Sequence, residues 1–151
     1  MSPSSLAKVI SMAIRNRRPL LIKGAPGIGK SDIVAQACNE AGAKLIIEHP
    51  VVSDPTDFKG LPFPSADGQS AHFLPFGSLL EILKYDDETK EKEREVIVYF
   101  IDDLGQAPPA VQAAAMQLIL ARRINGFKVS DKVVFIAATN RKADKAGVTG
   151  I

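Results

Sequence analysis

The sequence predicts an α/β domain with a mainly parallel sheet and helices on both faces, and three observations carry that prediction. An apolar run from Leu20 to Lys23 stops at Gly24 and enters a glycine-rich turn followed by a helical pattern. A second run, Val96 to Ile101, ends on Asp102 and is long enough for a strand buried on both faces. A third, Val133 to Ala138, ends at Thr139 and Asn140. Ligands of such sheets bind beyond the carboxyl ends of the strands, so Gly24, Asp102 and Asn140 are expected at one functional edge.

Each element has a local reason. Leu6, Val9, Ile10, Ala13 and Ile14 recur at helical spacing behind Ser4 and Ser5, which can cap a helix ending before Pro19. After the first strand, Ile33, Val34, Ala37, Cys38 and Ala41 form one apolar stripe, and Gly42 supplies the left-handed closing position. Cys38 is then a small core residue. Lys44 to Glu48 is a β-prone run. The stretch from Pro50 to Pro75 holds five prolines and the turn Asp67-Gly68, which predicts a loop-rich insert with one hairpin. Ser78 to Leu83 begins a helix, and the charge-alternating run Asp86 to Glu95 reads as solvated surface. Pro108 and Pro109 suit the first turn of a helix carrying Val111, Ala114, Ala115, Leu118 and Ile119 on one face, and Asn125-Gly126 makes a turn.

With 151 residues and no internal repeat, the chain has room for one core. Its composition, 46% hydrophobic and 24% charged, excludes collagenous and wholly disordered classes. A formal charge of +2 is too small to imply a polyanionic partner, and nucleic acid is not expected as one. A single cysteine and the lack of an apolar leader run near the start predict an intracellular, cytoplasmic protein. No apolar run approaches the roughly 20 residues of a membrane-spanning helix.

The chemistry concentrates in two segments and one terminal residue. Gly24-Ala25-Pro26-Gly27-Ile28-Gly29-Lys30-Ser31 satisfies G-x-x-x-x-G-K-[ST] between a predicted strand and a predicted helix that continues through Asp32. Glycines there let backbone N–H groups converge on a polyphosphate at the helix N-terminus. Lys30 adds a compact positive charge against the terminal phosphates, and the Ser31 hydroxyl offers a magnesium position. Asp102 is placed to bind magnesium directly or through water, and Asp103 to orient an attacking water. Asn140 has a carboxamide that can bond both a phosphate oxygen and a water.

On these segments the chain resembles the AAA+ P-loop ATPases, over nearly its whole length. Gly24 to Ser31 matches Walker A, Val98 to Asp103 matches Walker B, and Ala137 to Asn140, with Arg141 following, matches the sensor 1 strand. Asp54-Pro55-Thr56-Asp57-Phe58-Lys59-Gly60 and Gln106-Ala107-Pro108-Pro109-Ala110-Val111-Gln112 are similar to the MoxR and dynein-related branch. The resemblance implies a three-layer P-loop NTPase fold with a hairpin-containing insert, ATP and Mg2+ as ligands, and ATP hydrolysis. It implies a homo-oligomeric ring, hexameric in the full-length form, acting on a protein client or adaptor.

Two departures from the family stand out. Walker B carries Asp102-Asp103 where the family has Asp-Glu, so the water-orienting acid is one methylene shorter. The family also continues beyond sensor 1 into an arginine-finger segment, a fifth strand and a helical lid, so residues 1–151 read as an incomplete nucleotide-binding core without a C-terminal lid. The absent strand would lie beside Leu20 to Lys23 and leave that edge open. Arg122, Arg123, Arg141 and Lys142 match no finger motif, although Arg122 and Arg123 could face a neighbouring subunit. The shortened acid keeps open a non-hydrolysing nucleotide-binding assembly module. The cluster Arg15, Arg17 and Arg18, which a helix C-terminus also favours, keeps open a DNA-associated ATPase. His49 and His72 have no second ligand at metal spacing. Phe58, Phe63, Phe73 and Phe76 are expected to pack the insert onto the domain.

Overall fold

A computed structural model describes residues 2–24, 29–49, 56–59, 61–64, 71–74 and 77–140 of the chain. The first helix, α1 (Pro3–Asn16), is capped by Ser2, whose hydroxyl accepts a hydrogen bond from the Ser5 amide at 3.2 Å. The cap is Ser2 rather than Ser4 or Ser5 because Pro3 fits the first helical position, where its missing N–H costs nothing. The helix closes at Arg17 in the left-handed region, φ 52°, before Pro19. Strand β1 (Leu20–Gly24) follows, then α2 (Lys30–Ala41), ended as expected by Gly42 at φ 69°, and β2 (Lys44–Glu48).

The insert contains a short helix, α3 (Thr56–Lys59), that the sequence pattern did not announce, and the expected hairpin. In the hairpin β3 (Leu61–Pro64) pairs antiparallel with β4 (Ala71–Leu74), in register from Leu61 opposite Leu74 to Pro64 opposite Ala71. Its turn at Asp67-Gly68 lies outside the described residues. Helix α4 (Ser78–Glu81) is a single turn, shorter than the expected span to Leu83, which instead bridges to Val129.

The run Asp86 to Glu95 is mostly solvated, as its charge pattern predicts, with Glu91 and Arg94 as exceptions. It forms α5 (Glu88–Glu93), capped by the Asp87 carboxylate, and turns Glu91 inward to 8% exposure. Glu91 accepts hydrogen bonds from the Ser130 hydroxyl, from the Tyr85 amide at 2.9 Å and from Arg94 at 3.1 Å. Arg94 also donates to the carbonyls of Leu83 and Glu81 and lies over the Tyr85 ring. Burial alone would raise the Glu91 pKa, but these donors together hold it below the ordinary carboxylate value.

Strand β5 (Ile97–Ile101) is buried at every position and leads through a 3-10 turn at Leu104–Gln106 into α6 (Pro109–Ala121). A small antiparallel pair, β6 (Arg123–Ile124) and β7 (Phe127–Lys128), is joined at Asn125-Gly126 and precedes β8 (Val133–Asn140). Arg122 points inward, donating to the Ser130 carbonyl at 2.6 Å and the Val133 carbonyl at 3.0 Å, with its guanidinium beside the Phe135 ring. That placement engages Arg122 within its own chain, whereas Arg123 is exposed.

The four long strands form one parallel sheet in the order β1-β8-β5-β2. Alternate residues of the strands point to opposite faces, which divides the core in two. On one face Val98, Phe100, Val134 and Ile136 pack against Leu6, Ile10 and Ile14 of α1 and Val34 and Cys38 of α2. On the other, Tyr99, Ile101, Phe135 and Ala137 pack against Phe58 of α3 and Val111, Ala115 and Leu118 of α6. Each fully buried Leu, Ile, Val or Phe contributes about 1.5–3 kcal/mol relative to exposure. Among the described residues, no strand pairs with the outer edge of β1, and Leu21 there is 50% exposed. No described helix is long and apolar enough to cross a membrane.

Candidate functional site

Parallel register brings the sequence motifs to one edge. Gly24 lies opposite Asn140 and Lys23 opposite Thr139, while Ile101 lies opposite both Ala137 and Glu48. The ends of β1, β5 and β8 therefore open toward the same side, as the sequence pattern requires. β8 runs between β1 and β5, so the strand ending on Asn140 is flanked by the strand of Gly24 and the strand preceding Asp102.

The glycine-rich segment is described at its two ends. Gly24 closes β1 and is buried, and Gly29 caps α2 at φ 71°, a left-handed conformation that side chains other than glycine adopt at a cost. Residues 25–28, carrying Ala25, Pro26, Gly27 and Ile28, lie outside the described residues. Lys30, at the first position of α2, is only 7% exposed, and its ammonium donates to the Gly24 carbonyl at 3.4 Å. The lysine thus reaches from the start of α2 back to the end of β1. Asp32 stands in the first turn of α2, where a carboxylate favours the helix dipole.

The contact that ties the two motifs together is Ser31 Oγ donating to Asp102 Oδ2 at 3.2 Å, across 71 residues of sequence. The Asp102 amide extends the β2–β5 ladder by donating to the Glu48 carbonyl at 3.0 Å, which fixes the backbone carrying that carboxylate. A hydroxyl and a carboxylate within hydrogen-bond distance form a hard-oxygen pair that suits magnesium, which prefers few protein ligands and keeps several waters. Among the described residues no group of three or more His, Cys, Asp or Glu side chains could hold a metal by itself, so such an ion would depend on other oxygens.

Asp103 is half-buried and sits at φ 54°, ψ 40°, where aspartate is several-fold enriched over most residues. Its carbonyl accepts from the Gln106 amide at 2.9 Å and starts the 3-10 turn. Leu104 and Ala107 anchor that turn in the core, each 5% exposed. Gln112 of α6 braces it by donating to the Ala107 carbonyl at 2.8 Å and the Gly105 carbonyl at 3.5 Å. The backbone of Gly105 passes directly against the side chain of Thr139. The sequence reading missed this packing. Its only local trace is a glycine four residues past the end of the strand.

The fold has relatives among solved structures, of which 231 chains match. One is a crystal structure of a "putative ATPase" from Cytophaga hutchinsonii, with a TM-score of 0.59 and 12% identity over 98% of this chain. The fold is the three-layer fold of the P-loop NTPases. The chain spans 41% of the Cytophaga hutchinsonii protein's length. No family model matches the sequence, and no curated protein does. Among the described residues there is no helical lid, and the hairpin-containing insert is present between β2 and α4.

Proposed function

We propose that the chain is a magnesium-dependent ATP-binding and ATP-hydrolysing domain of the AAA+ type, most similar to the MoxR and dynein-related branch. The observation that carries this reading is the Ser31–Asp102 hydrogen bond, which joins the ends of the two motifs beside the buried Lys30. Residues 24–31 cradle the triphosphate, and Lys30 stands against its terminal phosphates. Ser31 and Asp102 hold magnesium, which when bound neutralises charge on the phosphate oxygens. Asp103 orients the attacking water, and Asn140, at the end of the central strand, senses the γ-phosphate. Residues 1–151 act as the nucleotide-binding core of a ring-forming protein that remodels a protein partner.

The test is magnesium-dependent ATP turnover per chain over a wide range of protein concentration, with Lys30→Ala as the blank. A specific rate that climbs with concentration supports subunits completing one another's sites. A rate at the blank level while nucleotide still binds favours a second reading, a non-hydrolysing assembly module. The short acid at Asp103 favours that second reading. Asp103→Glu separates the two: it extends the carboxylate by one methylene, and a rise of tenfold or more in turnover at constant affinity assigns the slow step to reach.

A further inference from the structure

We propose that Gly105 is a positioning residue for hydrolysis, acting through its contact with Thr139; the inference rests on the ATPase reading above. A Cβ at Gly105 would fall far inside van der Waals contact with the Thr139 hydroxyl and 3.4 Å from Thr139 Cβ. The φ of Gly105 is not in the left-handed region, so the backbone itself does not demand glycine; the neighbour does.

That contact lies between two pieces of the candidate site. Gly105 is two residues beyond Asp103, inside a turn held by the buried Leu104 and Ala107 and braced by Gln112 of α6. Thr139 immediately precedes Asn140 on β8 and pairs opposite Lys23 of β1. The turn after the acid pair and the end of the sensor strand are thus pressed together through a side chain that β-branching keeps stiff. An added methyl must displace either the turn, carrying Asp103, or Thr139, beside Asn140. Displacement of a positioning group by about 1 Å can cost on the order of a hundredfold in rate without touching the bound ground state.

The experiment compares Gly105→Ala, Thr139→Ala, Thr139→Val and the two double variants in the 151-residue chain. Turnover and the affinity for a fluorescent ATP analogue are measured on folded protein. Gly105→Ala is expected to lower kcat by about tenfold or more while affinity changes by less than about threefold. Thr139→Ala removes the obstructing hydroxyl, so the Gly105→Ala/Thr139→Ala chain returns to within about threefold of Thr139→Ala alone. Valine refills the same volume, so Gly105→Ala/Thr139→Val stays low. A purely structural glycine would instead lower the melting temperature with kcat per folded chain intact.

Wild-type kcat in folded Gly105→Ala, or a loss that Thr139→Ala does not relieve, overturns the inference and leaves the ATPase reading standing. A wild-type chain with no magnesium-dependent turnover at any concentration removes that reading and the inference with it. Where Gly105→Ala does not fold, Gln112→Met tests the same turn from the α6 side. A several-fold drop in kcat at constant affinity supports the inference, and an unchanged kcat overturns it.

Discussion

Glu91 and Asp102 are carboxylates packed near opposite ends of the same parallel sheet, and their surroundings differ. Glu91, below the amino ends of β5 and β8, receives a hydroxyl, a backbone amide and a guanidinium, and both it and Arg94 are nearly buried. Asp102, beyond the carboxyl end of β5, is half-buried and accepts from the Ser31 hydroxyl. A carboxylate has about four acceptor positions, so Glu91 is close to saturated, while among the described residues Asp102 keeps capacity for further donors or a cation. The same chemical group serves as a structural tie at one end and as a candidate ligand at the other, and the number of internal donors marks the difference.

That comparison is broken or sharpened by substitution. Glu91→Ala has the largest expected effect, because it leaves the Arg94 guanidinium buried without its carboxylate: about 3 kcal/mol of stability, or a melting temperature about 6–12 °C lower. Scanning calorimetry measures it, and ATP affinity per folded chain should not move. Lys30→Ala should do the reverse, weakening ATP binding by about a hundredfold or more in a fluorescence titration, a loss of about 2.7 kcal/mol, with the melting temperature nearly unchanged.

A smaller effect is expected with acid. The pKa of Glu91 is lower in the folded chain than its ordinary value of 4.5, so the folded state binds fewer protons than the unfolded one in that range. Its stabilising contribution is complete above pH 4.5 and is lost as pH falls through the lower folded value. Glu91→Gln should therefore flatten the fall in melting temperature below pH 4.5, and an unchanged acid limb would detach Glu91 from it. The smallest effect belongs to Lys44→Met. Lys44 pairs with Glu81 at 2.8 Å at the same end of the sheet, but both side chains are more than two-fifths exposed. Solvent screening makes such a pair weak, and calorimetry should find no shift in melting temperature.

The contrast between the two ends also explains what the sequence could and could not tell. β2, α2 and Gly42 were legible because apolar periodicity and a glycine stop are local signals. The meeting of Lys30, Ser31 and Asp102 at one edge was legible because each stands where a predicted strand ends or the next helix begins. The run at 86–95 was legible as hydrated surface from its alternating charge, except at two positions. Glu91 and Arg94 escape that rule through Ser130 and the Leu83 carbonyl, partners 39 and 11 residues away. The inward turn of Arg122 was illegible for the same reason, its acceptors being the carbonyls of Ser130 and Val133. The fit of Gly105 against Thr139 depends on how a turn stacks on a strand 34 residues later, and no local pattern encodes it.

Cys38 gives the molecule a clock. It is the sole cysteine, 2% exposed beneath α1, and burial pushes its thiol from 9.0 up to about 11. At pH 8 only about one thiol in a thousand would then be ionised even if a reagent could reach it. Alkylation must wait for α2 to lift from the sheet, so its rate times that opening rather than the thiol's own reactivity. Because α2 begins at Lys30 and Ser31, a nucleotide that holds the start of the helix should slow the clock in proportion to its occupancy.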